Sequence, residues 1–210
     1  MTTELTPITE VERDALCELA NLAMARAAAS IRRMIGRQIL LTVPTCEILA
    51  PEGALERVVM PGNSNLVAVR QDFSGVFSGR ALLIFPEIGS LELMRAILGR
   101  QLRPEDILDL EDEALAETGN IILNSWVATI ANVLKQGLKM SLPAVIRRDQ
   151  RHIFESSGRR ESCILFVNIK FEISEYKVQG YVAIMMDLPS IEQLRFLIAA
   201  FLRSLNSETD

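Results

Sequence analysis

Two sets of side chains in this sequence combine residue types and spacing that could do chemistry. Asp14, Glu18 and Asn21 follow the pattern acid-x3-Glu-x2-Asn, and Glu113, Glu117 and Asn120 repeat it. The carboxylates carry charge. The carboxamides can donate to and accept from water without titrating. A single Glu-x-x-Asn has almost no specificity, since Glu and Asn decorate the polar face of any helix. Its recurrence at matching places in the chain is what singles it out. Asn is also a poor residue for a helix interior, because its side chain competes for backbone hydrogen bonds. Meeting it twice in mid-helix breaks a local rule without structural return, and such breaks mark functional positions. Other chemistry lacks the residues. His152 is the only histidine, with no triad partners or zinc-ligand spacing around it. Cys17, Cys46 and Cys163 are odd in number and far apart, which indicates reduced thiols rather than a disulfide or metal framework. Cys17 stands next to Glu18 but reads as a buried thiol. Met140, Met185 and Met186 read as core filling.

The elements that must carry these groups are two long amphipathic helices, expected near residues 9–35 and 108–135. At about 100° per residue, positions i, i+4, i+7 and i+11 share a face. Leu16, Leu19, Ala20, Ala23, Ala27, Ile31 and Met34 form an apolar stripe on the first helix, and Leu115, Ile122, Trp126, Ile130 and Val133 on the second. Those stripes face the core. Asp14, Glu18, Asn21 and Ala25 fall opposite the first stripe, and Glu113, Glu117, Asn120 and Asn124 opposite the second. Both Glu/Asn pairs therefore point to solvent. Ala25, Ala28, Ala29, Ser125 and Ala128 leave space for another protein to approach.

The helices belong to an internal repeat. Glu12–Pro44 resembles Glu111–Pro143 at a constant offset, 120 − 21 = 99 for the two Asn residues. The hairpin and closing helix that follow recur at an offset of 100 to 101, as Ser78–Leu98 against Gln179–Ile198. Each unit reads as helix, strand, two-stranded hairpin, helix. Strands are expected near 38–48, 66–73 and 77–85, then near 138–147, 162–172 and 177–186. The hairpin turns fall at Ser74-Gly75 and Ser174-Glu175. Closing helices are expected near 88–99 and 189–204, with Ser90 and Ser190 as N-caps and Pro86 and Pro189 ending the preceding strands. Pro51–Asn65 and Asp149–Glu161 read as loops, the latter with solvated arginines. The fold class is α/β (α+β): one domain over 1–210 made of two repeats, about 8–103 and 107–206, with a mixed or antiparallel sheet covered by helices.

Composition narrows the function. Hydrophobic residues make up 49% and charged residues 23% of 210, which supports a packed core rather than disorder. A net charge of −5 argues against nucleic-acid binding. There is no apolar leader and no apolar run of the roughly 20 residues a membrane helix needs. A cytoplasmic protein without membrane insertion is expected.

On these residues the sequence resembles the CheC/CheX/FliY family of chemotaxis phosphatases. The carriers are Asp14-Ala-Leu-Cys-Glu18-Leu-Ala-Asn21 and Glu113-Ala-Leu-Ala-Glu117-Thr-Gly-Asn120, the strands "LLTVP" and "KMSLP", and the repeated hairpin and helix. The likeness spans nearly the whole chain and is nearest to CheC, with two sites in one chain. It implies hydrolysis of the aspartyl phosphate on a CheY-like response regulator. Asn21 and Asn120 would orient the attacking water, and Glu18 and Glu117 would pair with the regulator's lysine. Asp14 and Glu113 would add supporting charge. It implies no cofactor on this chain; Mg²⁺ would come with the phosphorylated regulator. A CheD-like deamidase is a second implied partner. Met24 and Arg26 stand where the family often has glycines, so the first site is expected to be the weaker. The competing reading is a non-catalytic adaptor for a response regulator or a CheD-like deamidase; the two intact Glu/Asn pairs favour catalysis.

Overall fold

The computed structural model describes residues 9–58, 65–98, 104–149, 152–154, 163–173 and 176–207. Helix α1 (Glu10–Ile35) begins at a capping box. Thr9 Oγ1 accepts from the Glu12 amide while the Glu12 carboxylate accepts from the Thr9 amide. It ends at Gly36, whose φ of +69° is the left-handed conformation that glycine adopts without strain. Strand β1 (Ile39–Leu49) and helix α2 (Pro51–Arg57) follow, then the hairpin β2 (Asn65–Gly75) and β3 (Gly79–Pro86), and helix α3 (Glu87–Leu98). The second half runs α4 (Pro104–Val133), β4 (Leu138–Met140), β5 (Ala144–Asp149), β6 (Cys163–Ile173), β7 (Tyr176–Met186) and α5 (Leu188–Ser207).

The seven strands form one sheet in the order β1-β6-β7-β3-β2-β4, with β5 also on β2. All of these pairings are antiparallel. The two hairpins meet at β3 and β7, and each half lends its first strand to the other half's hairpin: β1 pairs β6, and β4 and β5 pair β2. The registers are reciprocal. Leu41 faces Phe171 as Met140 faces Phe73, and Thr45 faces Asn168 as Ala144 faces Arg70.

Strand alternation divides the core in two. One sheet face, including Val67, Val69, Phe73, Leu165, Val167, Ile169 and Phe171, packs under α1, α3, α4 and α5. The other, including Leu66, Ala68, Leu82, Ile84 and Ile164, packs against Ala54 and Val58 around α2 and against Ile153 and Phe154.

Several local expectations change. Pro51–Arg57 is a helix rather than a loop; Pro51 occupies the first turn, where a missing N–H costs nothing. Ser90 and Ser190 lie inside their helices. Asp187 Oδ1 accepts from the Ser190 amide and so caps α5, while Ser90 Oγ donates to the Glu87 carbonyl and to Glu111. Pro189 is the second residue of α5, and β7 has already ended at Met186. The first strand of the second half is split into β4 and β5 around Ser141-Leu142-Pro143. Met34 is 43% exposed, outside the buried stripe. The Ser174-Glu175 turn and most of the 149–161 loop lie outside the described residues.

Candidate active sites on two helices

Helices α1 and α4 run antiparallel. Arg26 Nη1 donates to Thr129 Oγ1 near mid-helix, at 3.1 Å. Further along, Met34 and Ile35 line a groove together with Leu110, Glu113 and Glu117. Glu18 and Asn21 therefore lie towards one end of the helix pair, and Glu117 and Asn120 towards the other. Asp14, Glu18, Asn21, Glu113 and Glu117 are exposed as expected, but Asn120 is half-buried, its side-chain oxygen turned to the sheet rather than to solvent. Each Glu sits one turn before its Asn, so each pair shares a face. Asp14 lies 3.7 Å from Arg13, a loose surface pair.

Around the second pair the protein builds more than a helix surface. Gly119 brings α4 close to β2. A Cβ at this position would sit 2.5 Å from Val69, so the approach requires glycine. That contact sets Asn120 above Gln71, a β2 residue only 1% exposed. Gln71 Nε2 donates to Asn120 Oδ1 at 3.1 Å and to the Ser141 carbonyl at 2.9 Å. Asn124 Nδ2 donates to the same Asn120 oxygen. Glu113 and Glu117 face the groove of about 500 Å³ that Met34, Ile35, Ile97 and Leu110 also line. Apolar surface beside two carboxylates suits a lysine and the hydrocarbon around it.

The first pair lacks this support. Asn21 makes no side-chain hydrogen bond to another described residue. Met24 is fully buried in the core, so it does not crowd the approach to Asn21 as expected. Arg26 is at the surface, held to Thr129. Burial pushes the Cys17 thiol pKa up, so it stays protonated and is no nucleophile. Cys46 is shifted further the same way by burial, and Cys163 is pushed up to about 12. Gln71 was missed in the sequence, although one signal was there. In the helix-facing phase of the strand, Val67-x-Val69-x-Gln71-x-Phe73 breaks a run that Leu165-x-Val167-x-Ile169-x-Phe171 keeps.

Family models for "Chemotaxis phosphatase CheX" and "CheC-like family" match residues 67–167 and 11–48. The chain is thus similar to chemotaxis phosphatases of the CheX and CheC-like families over these two segments. The CheY-P phosphatase CheC of Bacillus subtilis is 27% identical over 146 residues, covering 66% of this chain and 67% of that protein. The flagellar motor switch phosphatase FliY of the same organism is 20% identical over 144 residues, 68% of this chain but only 37% of FliY. The crystal structure of Thermotoga maritima FliY superposes with a TM-score of 0.73 at 18% identity, covering 93% of this chain and all of that one. At that identity the likeness shows a shared fold. Among the described residues, no helix is long and apolar enough to cross a membrane.

Proposed function

We propose that this chain hydrolyses the aspartyl phosphate of a CheY-like response regulator, with Glu117 and Asn120 as the principal site and Glu18 and Asn21 as a second one. The observation that carries the reading is the Glu/Asn pair on α4, an exposed Glu117 with a half-buried Asn120, beside an apolar groove, in a chain whose residues 67–167 match a chemotaxis phosphatase family. Glu117, with Glu113 near it, pairs with the lysine beside the regulator's phosphorylation site and fixes the docked register. Asn120 holds a water in line with the scissile bond. The water oxygen attacks phosphorus, the bond to the aspartyl oxygen breaks, and carboxylate and inorganic phosphate leave. An acyl phosphate with its own Mg²⁺ needs positioning more than new covalent chemistry, so the regulator supplies the metal and this chain the orientation.

The test is decay of a ³²P-phosphorylated CheY-like regulator at matched Mg²⁺, with and without the protein. The wild type accelerates decay, and Asn21→Ala with Asn120→Ala removes the acceleration while the far-ultraviolet circular dichroism is kept. Unchanged decay with wild-type protein would sink the proposal. Equal binding of phosphorylated and unphosphorylated regulator, without hydrolysis, would instead support the adaptor reading, as would tight binding of a CheD-like deamidase alone.

A further inference from the structure

Gln71 is a carboxamide in a place where the fold otherwise uses hydrocarbon. The reciprocal registers place it between Arg70, which faces Ala144, and Phe73, which faces Met140. Ile169 lies likewise between Asn168, which faces Thr45, and Phe171, which faces Leu41. Ile169 is buried among apolar neighbours. Gln71 is equally buried, and its Oε1 finds no partner among the described residues. A buried orphan acceptor is a cost that packing does not explain.

The network around Gln71 has a fixed polarity. The Ser141 carbonyl can only accept, so the Gln71 atom facing it must be the NH₂ nitrogen. The second hydrogen of that nitrogen points to Asn120, so the Asn120 atom facing it must be the oxygen. With Asn124 donating to the same oxygen, both its lone pairs are engaged. Asn120 is left with its NH₂ as the working group, and the two bonds to its oxygen polarise the amide and make that NH₂ a stronger donor. The break between β4 and β5 makes this possible. Ser141 Oγ takes the Asp72 amide at 2.9 Å, a task a ladder carbonyl would otherwise perform, and the Ser141 carbonyl is free for Gln71.

We infer that Gln71 is a positioning residue that turns Asn120 with its oxygen inward and its NH₂ outward, and that the half carrying Ile169 has no such device, which makes the two sites unequal. The inference rests on the phosphatase reading. With the NH₂ outward, Asn120 holds the water by its oxygen and leaves the other lone pair for phosphorus.

Two measurements test this. In kinetics on the phosphorylated regulator, Gln71→Met in an Asn21→Ala background lowers kcat about tenfold, the worth of one neutral hydrogen bond, and moves KM less than twofold. Gln71→Leu does the same, and thermal unfolding verifies that both variants fold. Gln71→Met combined with Asn120→Ala loses no more than Asn120→Ala alone. A change in KM only, no change, or equal losses with and without Asn120 overturns the inference. The second measurement needs no catalysis. Side-chain ¹⁵N relaxation shows the Asn120 NH₂ as rigid as the backbone in the wild type and as mobile as that of Asn21 in Gln71→Met. A mobile Asn120 in the wild type, or one unmoved by the substitution, refutes positioning even if the phosphatase reading stands. An ordered Asn120 in an inactive wild type keeps the positioning and sinks only the phosphatase reading.

Discussion

Asn21 and Asn120 carry the same carboxamide one turn after a glutamate, but their side chains start from different states. Asn120 is held by Gln71 and Asn124, whereas in the proposed docking Asn21 would have to order itself. Freezing a free side chain costs on the order of 1 kcal/mol, enough for a several-fold difference in rate. With a roughly fivefold ratio between the two sites, Asn120→Ala is expected to lower the phosphatase rate about sixfold and Asn21→Ala by only about a sixth, by initial rates of phosphate release. Glu117 is exposed, and in the proposed reaction it acts through its charge. Glu117→Gln should raise KM several-fold with kcat nearly kept. Rising ionic strength should bring the wild type towards the variant, because exposed pairs are screened within about 8–10 Å at physiological salt. A kcat loss with unchanged KM would place Glu117 in the chemical step instead.

At the scale of elements, the second site depends on how closely α4 lies on β2. Gly119→Ala places a methyl about 2.5 Å from Val69. The better helix propensity of alanine, about 1 kcal/mol, is set against overpacking of about 1–3 kcal/mol. Net destabilisation is expected in urea unfolding, with a larger drop in kcat than Asn21→Ala produces. The β4–β5 break leaves Leu142 89% exposed beside Ser141, whereas Val43, at the matching place in β1, is half-buried. A leucine so exposed next to the site suits contact with the regulator. Leu142→Ser is expected to raise KM about threefold to tenfold, about 1 kcal/mol of lost apolar contact, and to leave thermal stability unchanged. An unmoved KM would show that Leu142 lies off the docking face.

At the scale of the molecule, the two helices are anchored by carboxylates that open the repeated segments. Glu12 ties α1 to Arg195 of α5, at 3.1 Å, and Glu111 ties α4 to Ser90 of α3 and Arg147 of β5. Burial alone would raise the Glu12 pKa, but hydrogen bonds from Arg195 and Thr9 outweigh it and hold it below the usual carboxylate value. A lowered folded pKa means that the contribution is present at neutral pH and is lost as pH falls through the folded value. The unfolding midpoint of Glu12→Gln should lie below that of the wild type at pH 7, and the gap should close once the pH drops below the ordinary carboxylate range. A gap that persists in acid would assign the loss to the cap at Thr9 rather than to charge.

Much of this was legible from sequence because it is local or periodic. Helix period set the outward faces of Glu18, Asn21 and Glu117 and put Asn120 on the face of Glu117, and the constant offset between the pairs raised both above the background of ordinary polar helix residues. Strand alternation located the hairpins, since period-2 patterns survive without knowledge of the partner strand. Met34 misled because the end of an apolar stripe is buried only if something covers it, and here the helix end opens on the groove. Ser90 and Ser190 misled because capping depends on where the chain turns, which moved each helix start upstream. What the sequence by itself determined is that two matched Glu/Asn pairs each share one face, away from the apolar stripe, on two matched helices. What only the tertiary structure decided is that they are not equivalent: a buried glutamine on one strand, a spare carbonyl at a break in another and a glycine contact that closes the gap converge on Asn120 alone. Gln71, Ser141 and Gly119 are far apart in the chain, and the hydrogen bond from Gln71 to Ser141 and the approach of Gly119 to Val69 exist only once the sheet pairs and α4 settles onto it.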